Sequence, residues 1–295
     1  MKYQVRHLTQ YDYSAPVSLC YNRAHLIPRD TQTQHCLDHQ IKITPEPAYQ
    51  RGGKDYFENF TLYFSIEEPH STLAIEVISD IERRPIDTSQ WLPFQELTCG
   101  QLRQTLSQAD SPELRLAQEY LFDSTHIHRS PLLQQYCEDI FADDRPVIAA
   151  LQQLTEKIFH EFTFDASATN VATPIEQVLQ QRSGVCQDFA HLAIGCLRSV
   201  GIPARYISGY LETLPPPGEE KLVGADASHA WFAAFIPELG WLEFDPTNNI
   251  LPDEQHLTTA WGRDYADVTP LQGVIFDGGD SQYMSVSVDV KRLDD

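Results

Sequence analysis

Basic residues are scarce in this chain. Lys and Arg together number 21 against 42 Asp and Glu, a formal net charge of −21. Nucleic acid and anionic membrane surfaces are bound through clustered Lys and Arg, so neither is expected as a partner. Long apolar runs are missing too, and none approaches the roughly 20 residues that cross a bilayer. The opening Met1-Lys2-Tyr3-Gln4 leads straight into strand-like alternation, without a basic-then-apolar leader. The expectation is a cytoplasmic protein. Paired metal-ligand spacings such as C-x-x-C are also absent. Cys20, Cys36, Cys99, Cys137, Cys186 and Cys196 fall at irregular intervals, which suits free thiols better than a disulfide framework. The group His35, Cys36 and His39, with Cys20 and His25 upstream, lacks ligand spacing and reads as a polar loop. His126 and His128 alone do not close a site. No metal and no cofactor are expected, and the pattern sets no oligomeric state.

What is present divides the 295 residues by period. Over residues 1–86 apolar residues alternate: Phe60, Leu62, Phe64 and Ile66, then Leu73, Ile75, Val77 and Ile81. That period of two predicts half-buried antiparallel strands, separated by turns at Thr44-Pro45-Glu46-Pro47, Gly52-Gly53 and Glu68-Pro69, and hence a β-sandwich domain. From residue 87 the period turns helical. Ser111-Pro112-Glu113 reads as an N-cap with proline in the first turn, Pro146 opens a second helix, and Thr173-Pro174-Ile175-Glu176 reads as a capping box. From Gln187 to Val200 the pattern is apolar almost all round, which predicts a central helix walled on several sides. Strands follow at Ala204–Leu211 and around His229 and Asp245, with an exposed loop at Pro215–Glu220. Residues 87–252 therefore read as an α+β core. Residues 253–295 read as a C-terminal segment whose β-hairpin turns at Gly278-Gly279-Asp280 and packs on the core.

Three residues in this core carry chemistry. Cys186 stands where a polar segment becomes the apolar helix, His229 opens a strand in S-H-A-W, and Asp245 ends the next strand in G-W-L-E-F-D-P-T-N. A thiol at a helix N-terminus gains thiolate character from the helix dipole and from a neighbouring imidazolium. His229 would shuttle the proton, and Asp245 would fix its tautomer. The Cys186 backbone N–H is the first candidate donor to an oxyanion. Cys196, deep in the same helix, reads as core, and His191 as a packed supporting residue. Asp188, Tyr210, Trp231 and Trp241 lie beside these motifs and are candidates for lining a substrate pocket.

The segments R-S-G-V-C-Q-D-F-A-H-L (Arg182 to Leu192), G-I-P-A-R-Y-I-S-G-Y-L (Gly201 to Leu211), S-H-A-W and G-W-L-E-F-D-P-T-N resemble the bacterial transglutaminase-like family. Y-D-Y-S-A-P-V (Tyr11 to Val17), L-I-P-R-D (Leu26 to Asp30) and W-G-R-D-Y-A-D-V (Trp261 to Val268) extend the resemblance over nearly the whole chain. It implies a papain-like core with a central helix on an antiparallel sheet, and Cys186, His229 and Asp245 as nucleophile, base and orienting acid. Gln187 departs from the basic residue common after this cysteine. The expected activity is thiol-dependent cleavage of peptide or amide bonds in a peptide or protein substrate, through a Cys thioester. The alternatives are a protein-glutamine transglutaminase and a catalytically silent binding module. Calcium dependence is not implied.

Overall fold

The computed structural model describes residues 1–108, 110–213 and 227–293. The loop expected at Pro215–Glu220 lies outside the described residues.

The N-terminal alternation forms β1 (Lys2–Ala24), β2 (Gln34–Thr44), β3 (Tyr49–Lys54), β4 (Phe60–Ile66) and β5 (His70–Arg83). They make an antiparallel sheet in the order β2-β5-β1-β4-β3, curled about the long β1. The first half of β1 pairs with β5 and its second half with β4. Inward residues of both halves, Val17, Phe64, Leu73 and Ile75 among them, form one buried cluster. His35, Cys36 and His39 lie on β2 and not on a loop; His35 Nδ1 pairs with Asp30 Oδ1 at 2.8 Å.

Helices and two short strands then lead to the centre of the molecule. They are α1 (Cys99–Gln108), α2 (Pro112–Gln118), α3 (Pro131–Cys137), α4 (Val147–Glu161), β6 (Thr163–Phe164), α5 (Ile175–Gln181) and β7 (Ser183–Gly184). The Ser111 hydroxyl caps α2 by accepting the Leu114 N–H at 3.1 Å. At α5 no capping box forms: Pro174 occupies the N-cap, and the Thr173 hydroxyl accepts the Asn170 N–H instead. The central helix is α6 (Cys186–Ser199), with every residue from Asp188 to Arg198 buried. Close packing requires Gly195, where a Cβ would stand 2.8 Å from Ile175 and 3.0 Å from Leu133.

α6 rests on a second antiparallel sheet: β8 (Ala204–Leu211), β9 (Ala227–Ile236), β10 (Gly240–Phe244) and β11 (His256–Gly262), in the order β10-β9-β8-β11. Strand alternation divides β9 between two clusters. Ala230, Phe232 and Ala234 join the core around α6, whereas Trp231 and Ala233 join Ile207 in a smaller one.

The C-terminal segment departs from expectation twice. β11 belongs to the core sheet, so the core extends past residue 252. After α7 (Tyr265–Val268), β12 (Leu271–Asp277) and β13 (Gln282–Leu293) do not form a hairpin on the core. Both run antiparallel to β1, end to end: β12 pairs with residues 17–24 and β13 with residues 2–13. The reason is the proline at position 16, which cannot donate to a ladder. The partner chain loops around that break at Gly278 and Gly279, with φ of 91° and 82°, while Gly278 N–H reaches Pro16 O at 3.2 Å. A glycine turn that signals reversal in sequence here repairs an interrupted strand. Among the described residues no helix is long and apolar enough to cross a membrane.

Candidate active site

The α6 N-terminus, the start of β9 and the end of β10 converge on Cys186, His229 and Asp245. Cys186 is the first residue of α6 and half-buried. Asp188, two residues on, is buried and accepts the Val185 N–H at 2.8 Å and the Thr169 hydroxyl at 2.6 Å. Burial raises its carboxyl above the ordinary range, against those two donors. Gly184 makes this cap possible: a Cβ there would meet Asp188 Oδ2 at 2.7 Å. Asp188 therefore holds the entry to the helix. Because it takes the Val185 N–H, it does not compete for the Cys186 N–H.

His229 is buried on β9, opposite Gly209 of β8. A Cβ at Gly209 would collide with the Leu257 carbonyl and the Trp231 ring, so only glycine fits there. His229 Nε2 donates to Asp245 Oδ2 at 2.8 Å, leaving Nδ1 as the ring nitrogen available to the Cys186 thiol. Burial works against protonation of this ring. Asp245 and the adjacent Cys186 outweigh it and hold the pKa at about 10.

Asp245 is fully buried just past β10, its backbone bridged to Ile250. It accepts five hydrogen bonds. Oδ1 takes the Thr247 N–H at 2.9 Å and the Asn248 N–H at 3.3 Å. Oδ2 takes His229 Nε2, Asn248 Nδ2 at 2.7 Å and His256 Nε2 at 3.1 Å. Burial alone would raise its pKa; these donors hold it well below the usual carboxylate range.

His256, absent from the sequence expectations, is therefore part of the site. Its signal in the sequence is slight: a lone histidine opening a strand eleven residues after Asp245. His229, Asp245 and His256 are the one group of three side chains among the described residues that could ligate a metal. The Asn248 amide, however, donates into the shared Asp245 oxygen and lies 3.4 Å from His229 Nε2. A donor aimed into the centre suits a hydrogen-bonded carboxylate and opposes a cation.

The four pocket candidates are dispersed. Asp188 caps α6. Trp231 is fully buried, stacks on His229 with ring centroids 6.0 Å apart, and donates to Glu243 at 2.8 Å, forming a wall behind the imidazole. Tyr210 points to the N-terminal sheet, where its hydroxyl pairs with His7 Nδ1 at 3.1 Å among Tyr3, Val5 and Val290. Trp241 lies beside the β9–β10 turn, opposite Phe235 and away from His229. It packs against Tyr120 and the Arg205 guanidinium and lines a cavity of about 330 Å³ with Tyr56 and Trp261. His191 is buried, accepts the Tyr265 N–H at 3.1 Å, and is pushed down to about 3, chiefly by burial, so it is a neutral supporting ring.

The chain has relatives among known proteins. Residues 3–82 match the bacterial transglutaminase-like N-terminal region, and residues 134–246 match the transglutaminase-like superfamily. An uncharacterized Mycobacterium tuberculosis protein is 38% identical over 295 residues, covering 98% of this chain and 92% of its own. The chain belongs to the bacterial transglutaminase-like family. A Pseudomonas aeruginosa protein-glutamine gamma-glutamyltransferase is 31% identical over 160 residues, 52% of this chain and 24% of that longer protein. The fold is shared with a Cytophaga hutchinsonii crystal structure described as a "putative cysteine protease". It is 24% identical, with a TM-score of 0.76 over 100% of this chain and 92% of the other.

Proposed function

We propose that this transglutaminase-like protein is a thiol-dependent acyl-transfer enzyme that cleaves a peptide or amide bond. The observation that carries the reading is the buried His229 ring, tied to Asp245 through Nε2 and presenting Nδ1 to a thiol at a helix N-terminus. Cys186 stands beside this ring at the start of α6, and the reacting form is its thiolate, with the proton carried on His229. The thiolate attacks the carbonyl carbon, and the Cys186 N–H donates to the oxyanion. As the C–N bond breaks, His229 gives its proton to the leaving amine, and a thioester remains on Cys186. Water then attacks the thioester while His229 takes a proton. The carboxylic acid leaves and the starting pair is restored.

Water, at about 55 M, is the default acceptor unless the site excludes it. Similarity to the P. aeruginosa gamma-glutamyltransferase supports the second reading, in which a lysine amine resolves the thioester. Partitioning separates the two. A glutamine-peptide substrate is supplied with a millimolar fluorescent amine, and free acid is compared with amine adduct. Hydrolysis predicts mostly acid. Predominant adduct at modest amine concentration would replace the hydrolase reading with transamidation. Loss of neither substrate nor amine across a broad peptide-amide panel would favour a binding module.

A further inference from the structure

His256 is a buried group at the site to which the acyl-transfer chemistry assigns no task. It opens β11, fully buried, and its Nε2 lies 3.1 Å from Asp245 Oδ2. Its Nδ1 faces the Asp253 backbone N–H at 3.3 Å and the Asp253 carboxylate at 3.6 Å. The Trp231 ring packs edge-on against it, centroids 5.2 Å apart. The titratable and charged groups around it are therefore Asp245 after β10, His229 on β9, and Asp253 before β11. Arg83 of β5 stands behind them, its Nη2 donating to the Asp253 carbonyl at 3.3 Å.

A nitrogen that accepts the Asp253 N–H must carry a lone pair, so the ring proton belongs on Nε2, aimed at Asp245. Two imidazoles then share one carboxylate oxygen. A donor to an ionised carboxylate stabilises the charge and weakens its pull on any other group. We propose that His256 is a positioning residue that holds Asp245 and, by drawing on its charge, sets how tightly His229 keeps its proton. The inference deepens the reading above and rests on it for its catalytic meaning. Its direction does not depend on whether His256 is neutral or charged, because either form donates to Asp245 and neither adds negative charge. Without that donor, His229 has the full carboxylate and holds its proton more strongly. The protein thus trades some basicity at His229 for an orienting acid fixed by two rings.

The test is an NMR titration of the His229 ring in full-length protein carrying Cys186→Ala, with His256→Leu and His256→Gln added separately. Glutamine can place a donor where the imidazole Nε2 stood; leucine cannot. The expected result is a His229 midpoint higher by about one pH unit with leucine and close to the parent value with glutamine. A merely structural histidine would lower the thermal midpoint in both variants and leave the His229 titration in place. A folded leucine variant with an unchanged or lowered midpoint overturns the proposal. Should the leucine variant fail to fold, the wild-type ¹⁵N spectrum decides: a protonated His256 Nε2 upholds it, and a bare Nε2 overturns it. Iodoacetamide labelling of the wild type keeps the two readings apart. A Cys186 that reacts no faster than Cys36 would overturn the acyl-transfer reading, whereas the His229 shift would be read independently of it.

Discussion

Replacing Asp245 by asparagine changes one oxygen for an NH₂ group and leaves the shape intact. The carboxylate accepts five donors, two on Oδ1 and three on Oδ2. An amide oxygen can serve one of these sets, and the NH₂ must then face the other. With the oxygen toward Thr247 and Asn248, the NH₂ meets two imidazoles and the Asn248 amide. Both rings can escape only by moving their protons to Nδ1. For His229 that closes the nitrogen available to Cys186, and for His256 it sets an N–H against the Asp253 N–H. At least two donors, partly buried, lose an acceptor. At about 1–3 kcal/mol each, the expected destabilisation is about 3 kcal/mol, or roughly 6 °C in thermal midpoint for a chain of this size. The wrong His229 tautomer costs activity as well, roughly 10⁴-fold by analogy with the serine-enzyme triad. Differential scanning fluorimetry gives the first quantity and Cys186 alkylation kinetics the direction of the second. An Asp245→Asn protein with unchanged midpoint and unchanged alkylation would refute the reasoning and reduce Asp245 to a turn former.

Two further outcomes follow from the same geometry. His229 is held at a pKa of about 10 against an ordinary 6.5, so its contribution to stability is complete below pH 6.5 and is lost as pH rises through about 10. Asp245 is depressed from 3.8, so its contribution is present above that value and is lost as pH falls below it. Urea denaturation at pH 6, 8 and 10 should show a decline that His229→Gln abolishes; equal alkaline declines in both proteins would contradict it. Gly184→Ala should push Asp188 out of its cap, costing about 1–3 kcal/mol and slowing Cys186 alkylation, and parental stability and rate would show that the cap is dispensable.

The Cys186, His229 and Asp245 positions were legible because each sits at an element boundary inside a local pattern: a polar-to-apolar switch, a strand opening, and a D-P-T-N turn. The N-terminal alternation and the apolar central helix were legible for the same reason, since burial imposes their period directly. What the pattern could not convey was long-range pairing. Val274–Phe276 and Met284–Val290 look like the arms of a hairpin. Only β1, whose ladder with them is interrupted at Pro16, makes them one interrupted strand. Face assignment failed similarly. Tyr210 and Trp231 lie on strands near the motifs, but sheet geometry turns one toward the N-terminal sheet and the other behind His229. His256 carries no such local signal, because its partner is the Asp245 carboxylate, eleven residues earlier and reached only once the chain has turned back.

The central claim is a thioester on Cys186, and trapping it is the most direct measurement. The protein is mixed with an activated acyl ester, quenched in acid and examined by intact mass and peptide mapping. An adduct confined to the Cys186 peptide is expected, lost on treatment with hydroxylamine and absent from Cys186→Ala. Cys20, Cys99, Cys137 and Cys196 are buried and should remain unmodified, with half-buried Cys36 as the internal control. An adduct that maps to Cys36 instead, or one that persists undiminished in Cys186→Ala, would contradict the account.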